Sequence, residues 1–411
     1  MPMAAIRMCY SGPSASWLRR RYISIFCAIL LAIELAGFSV LVVGTHGWIV
    51  PLTEPTSTDF VSFYAAGSLA DAGTPELAYD QAAHKAAEER ATEPGIQYRF
   101  FYYPPVFLLL CAGLARLPYL EAFLIFEAAS LALYLIVTCR ILQETGWAAL
   151  AALLAFPAVF WTLGLGQNSF LTAALFGAGL LCIDRRPILA GLLFGALCYK
   201  PHFGVLVPVA LIAGRHWRAS AAAVVSVGVL CTLSLILFGL GTWHDFLAAA
   251  ALSHTTYESG QVSFGGFVTP LGAVLSLGGT ASAAYAVQAA ATLVAGFLVA
   301  HVWRSSRPLA IRAATLAAAT LVAIPVALVY DLMLAGVATA WLTRDEGGLS
   351  AWETVTMAVL IMLTLDPRDI AEAWHVPVAP FVAVAVLALA AMRAFRRRAP
   401  PVAGAFCMTG E

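Results

Sequence analysis

The sequence predicts an all-α protein built as a polytopic transmembrane helical bundle, and three observations predict it. Of 411 residues, 61% are hydrophobic and 11% charged, against about a quarter charged in a soluble domain. Mean hydropathy is +0.85, more apolar side chain than a globular core takes up, because core volume grows too slowly relative to surface. The apolar residues also run in long blocks, at 23–43, 221–240 and 281–302. Each approaches the roughly 20 residues that span about 30 Å of hydrocarbon. With no water there to serve the backbone, such blocks must be helical. A membrane barrel would instead alternate apolar and polar residues along short segments.

The first block is too long for the apolar region of a secretory signal and no small-residue cleavage site follows it, so it reads as a retained helix. About 60 mostly polar residues lie between it and Pro104, within which 80–92 reads as a short amphipathic helix resting on the membrane surface. Apolar segments follow at about 104–117, 119–141, 147–164, 168–183, 187–199, 201–213 and 217–240. After a second polar stretch near 241–268 come 281–303, 308–329, 331–343, 350–365 and 376–394. That makes about 10–13 hydrophobic segments. Several are too short to cross alone, and Pro104, Pro105, Pro118, Pro157, Pro187, Pro201, Pro208, Pro270 and Pro325 interrupt them. Broken helices of this kind line aqueous cavities. The expected organisation is a cytoplasmic tail at 1–22, one membrane domain at 23–394 and a cytoplasmic tail at 395–411, with no internal repeat.

Net charge is zero, 23 basic against 23 acidic residues, so no nucleic-acid partner is expected. Placement says more. Arg19, Arg20 and Arg21 precede the first block, and Arg393, Arg396, Arg397 and Arg398 end the last. The positive-inside rule then puts both termini in the cytoplasm and the loops near 45–103 and 241–268 outside. Arg185, Arg186, Arg215, Arg218, Arg304 and Arg307 mark further inner turns. Arg140 conflicts: if 104–117 and 119–141 both cross, it falls outside. The eight cysteines lack metal-site spacing and read as small hydrophobes.

A carboxylate at a membrane surface, partly desolvated, is suited to take a proton from a hydroxyl. Asp59, before the apolar run 60–66, stands in such a place; equally, Asp59 is an ordinary helix N-cap. Lys200, one of two lysines, lies between apolar segments beside Pro201 and His202. A cation at that depth is a functional candidate, the alternative being a lysine that snorkels to the interface. Arg99 is a second candidate for an anion, or a solvated loop residue. Gln167 and Asn168 suit sugar hydroxyls or a plain turn. Asp331 lines a cavity or caps a helix. His202, His244 and His254 read as hydrogen-bonded interfacial histidines, not metal ligands. Glu34 and Glu127 lie deep in apolar blocks as helix–helix hydrogen-bonders or cavity groups. Tyr64, Tyr102 and Tyr103 fit the interfacial aromatic belt.

Several patches in order resemble glycosyltransferase family 87, membrane enzymes of the GT-C type that include polyprenyl-phosphate-mannose-dependent mannosyltransferases. They are Asp59-Phe60 with Tyr64-Ala65-Ala66, Gly73 and Tyr79; Tyr103-Pro104-Pro105-Val106-Phe107 with Leu117-Pro118; Gly166-Gln167-Asn168-Ser169; Gly191-Leu192-Leu193 with Lys200-Pro201; and Tyr330-Asp331-Leu332. Together they run from about residue 58 to 335. The resemblance implies a hexosyltransferase in the inner (plasma) membrane, its site facing the extracytoplasmic side. It implies a polyprenyl-phosphate-linked sugar donor, mannose by family habit, and a lipid or glycan acceptor. Asp59 occupies the family's acidic position in the first outer loop and would be the general base of a single inverting displacement. Lys200, Arg99, Tyr64, Tyr103, Gln167, Asn168, His202 and Asp331 are the expected substrate contacts. The leaving group is a phosphate, which needs a cation as charge develops. No Gly-rich phosphate loop and no Asp-X-Asp pair occurs, so neither a cofactor nor a metal is expected. The rivals are a lipid or solute transporter or flippase, and a non-catalytic scaffold. Transporters show repeated halves with matching breaks, and a scaffold requires neither Asp59 nor Lys200.

Overall fold

The computed structural model describes residues 13–43, 58–345 and 348–396. The 44–57 part of the expected first outer loop and Arg397 and Arg398 lie outside the described residues. Eighteen α-helices and no strand occur among the described residues. They are α1 (Pro13–Val43), α2 (Phe60–Asp71), α3 (Gln81–Ala91), α4 (Pro105–Leu114), α5 (Tyr119–Leu142) and α6 (Trp147–Leu154). Next come α7 (Pro157–Leu165), α8 (Ser169–Cys182), α9 (Pro187–Ala196), α10 (Val207–Ala213), α11 (Trp217–Glu258) and α12 (Pro270–Ser276). The last are α13 (Ala281–Arg304), α14 (Leu309–Ala323), α15 (Met333–Arg344), α16 (Ala351–Met362), α17 (Pro367–Trp374) and α18 (Val378–Phe395).

Four helices, α5, α11, α13 and α18, are long and apolar enough to cross a membrane. The pair α6 and α7 joins them as one broken span bent by 60°, and seven shorter apolar helices complete the hydrophobic segments. The chain is a multi-pass membrane protein. The length of α4 bears on the conflict over Arg140. Its ten residues rise only about 15 Å, roughly half the hydrocarbon thickness. α4 therefore does not cross alone, while the 24 residues of α5 do by length, and Arg140 ends up at the opposite face from Tyr119.

Two layers of packing matter for the site. α14 is buried on all sides by α13, α15 and α18, and its alanines let those neighbours approach. α9 meets α11 where Gly191 and Gly195 face Ala219, Ala222 and Ser226, with no room for a methyl group, the small-residue contact typical of membrane helices. The second layer is α2 with α4, α5 and the 3₁₀ turn Leu197–Tyr199, built on Phe60, Phe63, Phe107, Phe126 and Tyr199.

Three expectations change. The loop near 241–268 is largely helix: α11 continues past a break at Gly239 (φ 81°) to Glu258, because Ala248–Ala251 and their neighbours are strong helix formers. The amphipathic helix forms as α3, capped by Asp80, which accepts from the Ala83 amide at 2.8 Å. Its buried face, His84, Ala87 and Glu88, packs on α2, so a polar stripe is enclosed by protein. Arg393 is not a free topogenic charge. It donates to Glu353 through Nε at 3.0 Å and Nη2 at 2.7 Å. It also donates to the carbonyls of Leu342 and Gly348 at 2.8 and 2.7 Å, and Asp345 lies 3.5 Å away. That cluster ties α18 to the turn between α15 and α16.

Candidate active site

Asp59 sits at the head of α2 with helical dihedrals (φ −63°, ψ −17°) and makes no side-chain cap bond. Caps take extended dihedrals to reach back to the helix amides, so this carboxylate points elsewhere. Gln167 Nε2 donates to its Oδ2 at 2.8 Å, and Arg99 Nε lies 3.5 Å from Oδ1. The Asp59 amide donates to the Leu165 carbonyl at 2.6 Å, which fastens the end of α7 to the start of α2. Gly166 makes that crossing possible. It ends α7 in the left-handed conformation (φ 66°), and a Cβ there would lie 2.8 Å from Phe60 Cβ and 3.0 Å from the Phe123 ring. Gly166→Ala should therefore lower stability by more than the ~1 kcal/mol of an ordinary Gly-to-Ala mismatch and displace Gln167 from Asp59. A melting temperature equal to the parent's would show that the turn adapts.

The next three residues each hold a different group. Gln167 holds Asp59, Asn168 Oδ1 accepts from Lys200 Nζ at 3.2 Å, and Ser169 Oγ donates to Asp331 Oδ1 at 2.8 Å. Lys200 stands at an extended break (φ −134°, ψ 68°) between the 3₁₀ turns Leu197–Tyr199 and Pro201–Gly204, where Pro201 cannot continue a helix. Its Nζ pairs with Asp331 Oδ1 at 2.7 Å, both side chains about 95% buried, and faces the rings of Phe203 and Tyr330 at 4.8 and 5.5 Å. Asp331 Oδ2 also accepts from the Leu328 amide at 3.1 Å, which closes the 3₁₀ turn Val329–Leu332 that Asp331 itself belongs to. The Asn168 side chain is fully buried, and it lies against the Tyr103 hydroxyl with its Nδ2 short of a well-formed hydrogen bond. The neighbouring Tyr103 hydroxyl is turned to Gln167 Oε1, at 3.5 Å.

Arg99 lies on an extended strip whose alternate side chains face inward: Arg99 toward Asp59, Phe101 and Tyr103 into the α2–α4 core. Its amide donates to both Glu88 oxygens at 3.2 Å. Tyr64 is turned away, donating to the Leu117 carbonyl at 2.9 Å and packing on Tyr119. His202 is half-buried, its ring against Phe203. Asp59 is 20% and Arg99 27% exposed by side chain, so these two form the open end of the cluster and Lys200 with Asp331 the closed end. Among the described residues no group of three or more His, Cys, Asp or Glu side chains is placed to share a metal ion.

Residues 101–329 match the family model of glycosyltransferase family 87, more than half of the chain. The chain belongs to glycosyltransferase family 87. No curated protein and no solved structure matches it. The matched stretch carries Tyr103, the Gln167–Ser169 triplet, Lys200 and His202; Asp59 and Arg99 precede it and Asp331 follows it. As a family 87 glycosyltransferase the protein takes a sugar donor and an acceptor, and the polar cluster joins residues from both sides of the matched region. The sequence assigned no role to Ser169 beyond its place in the Gly166–Ser169 patch, and none to His84 and Glu88 beyond the amphipathic helix at 80–92. The available signal was the spacing of His84, Ala87, Glu88 and Ala91, which puts the two polar groups on one face of α3 together with two alanines.

Proposed function

We propose that this glycosyltransferase moves a hexose, mannose by resemblance, from a polyprenyl phosphate to an acceptor hydroxyl at the outer membrane surface, within a GT-C architecture. The observation that carries the reading is Asp59: a partly exposed carboxylate that forgoes its cap and is held by Gln167 and Arg99. Held with one oxygen on an amide donor and the other near a guanidinium, the carboxylate stays aimed until an acceptor hydroxyl arrives. Asp59 then takes that proton while the hydroxyl oxygen attacks the anomeric carbon from the face opposite the departing phosphate. One carboxylate suffices, since no second carboxyl acid is needed to release a phosphate.

The departing phosphate needs a cation. Arg99 is the accessible one, with a planar fork that suits phosphate. Lys200 brings a charge already matched by Asp331, so its part is to set the potential of the closed end and to hold Asn168. Gln167, Tyr103, His202 and Asp331 frame the sugar, and Tyr64 buttresses α2 from the side. Purified protein should transfer sugar from a short-chain polyprenyl-phosphate mannose to an alkyl mannoside. Failure to use any polyprenyl-phosphate hexose, with membrane lipid extract as acceptor, would overturn the donor class.

A further inference from the structure

α3 carries two buried titratable groups that the transfer reaction does not touch. His84 and Glu88 are both fully buried. His84 Nε2 lies 3.1 Å from the Ser62 carbonyl on α2; a carbonyl only accepts, so Nε2 carries the hydrogen. Nδ1 is then a lone pair in the neutral ring, has no hydrogen-bond partner, and faces Glu88 Oε1 at 3.7 Å. An ionised Glu88 would set lone pair against lone pair in a site closed to water. One proton between them removes that repulsion and gives Nδ1 a donor after a small approach. Glu88 meanwhile takes the Arg99 amide on both oxygens, and Ser62 Oγ donates to the Phe100 carbonyl at 3.2 Å. The pair thus joins α2, which bears Asp59, to the strip that bears Arg99.

We propose that His84 and Glu88 are a positioning pair that shares one proton, holds Arg99 in register with Asp59, and sets an alkaline limit to sugar transfer. That role presupposes Asp59 as the base. The charged and titratable groups around Glu88 are His84 and Lys85 on α3, Arg99 and Tyr98 on the strip, Asp59 at the head of α2 and Tyr119 at the head of α5. Burial raises the Glu88 carboxyl to about 8 against the pull of Arg99, and burial lowers His84 to about 4. Both shifts favour the neutral pair over an ion pair. When the proton leaves at alkaline pH, Glu88 becomes an anion that competes with Asp59 for Arg99 and repels its carboxylate.

The sign for stability follows. The folded chain binds the Glu88 proton more tightly than the unfolded chain, so that contribution is lost as pH rises through about 8. His84 acts oppositely, its contribution being lost as pH falls from roughly 6.5 toward 4, which leaves Glu88 alone between about 6.5 and 8. Infrared difference spectra of the full-length protein between about pH 7 and about pH 9 should show loss of a carboxylic-acid carbonyl band. Glu88→Gln should lack the band and Glu88→Asp should shift it; the same band in Glu88→Gln and the parent overturns the proposal. With polyprenyl-phosphate mannose and an alkyl mannoside, Glu88→Gln should keep transfer near neutrality and lose the alkaline decline. Glu88→Ala should fall on the order of a hundredfold in kcat/KM through misplacement of Arg99. An alkaline decline identical in Glu88→Gln and the parent also overturns the proposal. Asp59→Asn separates the two readings: normal transfer by it fails the base and the limit on transfer together, leaving the spectrum to report the shared proton, whereas an inactive Asp59→Asn with no Glu88 band fails the pair alone.

Discussion

Asp59→Asn should fold, insert and bind donor, yet transfer sugar slower by a factor on the order of 10²–10⁴, the usual loss when a general base is removed. The asparagine oxygen can still accept from Gln167 Nε2, the 2.8 Å bond that orients the side chain. What disappears is the basic oxygen beside Arg99. Because Arg99 and Asp59 are 27% and 20% exposed, losing their pairing costs at most about 1 kcal/mol of stability. No helix cap is lost, since Asp59 makes none. Transfer rate and melting temperature measured on one preparation check both halves. Near-normal turnover would remove Asp59 from the chemistry, and a collapsed melting temperature would mean that its role is architectural.

Lys200→Met should have the largest effect on stability. It leaves Asp331, 4% exposed by side chain, as a buried carboxylate held only by Ser169 Oγ and the Leu328 amide. Removing one partner of a buried pair costs about 3–5 kcal/mol, chiefly because the other charge is stranded. Lys200→Met with Asp331→Asn removes both charges and should recover most of that loss. The double variant also separates two roles that the single variant confounds. If Lys200 sets the potential at the departing phosphate, the double variant melts near the parent but transfers slowly. Recovery of both properties would make Lys200 a fold element only.

Much of this fold is legible in the sequence because membrane helices announce themselves by composition. The breaks are legible too: Pro201 marks the place where Lys200 leaves the helix, and Gly166 the turn that Gln167 needs. The rest depends on which helix lies beside which. Nothing local to Asp59 distinguishes a capping carboxylate from one turned toward Gln167, because the difference is made where the end of α7 meets the start of α2, with Gln167 108 residues away in the chain. Lys200 and Asp331 are 131 residues apart, so a lone buried cation and a matched pair look the same in one dimension. α4 reads as a crossing from its apolarity and is excluded only by its length. His84 and Glu88 fail to stand out for the same reason: on an alanine-rich, charged helix a polar face reads as solvated until α2 is seen to cover it.

The Arg393 cluster carries a consequence for biogenesis. Glu353 and Arg393 are separated by 40 residues, and Arg393 lies on the last helix of the described chain. Synthesis runs from the N-terminus, so Asp345 and Glu353 are polymerised before the guanidinium that satisfies them. Until α18 arrives, those carboxylates and the Leu342 and Gly348 carbonyls sit at an incomplete bundle edge, at the cost that unmatched polar groups carry beside hydrocarbon. Locking of the α15–α16 turn therefore waits on α18. A chain that stops short of α18 leaves the Glu353 and Asp345 carboxylates without the guanidinium that mates them.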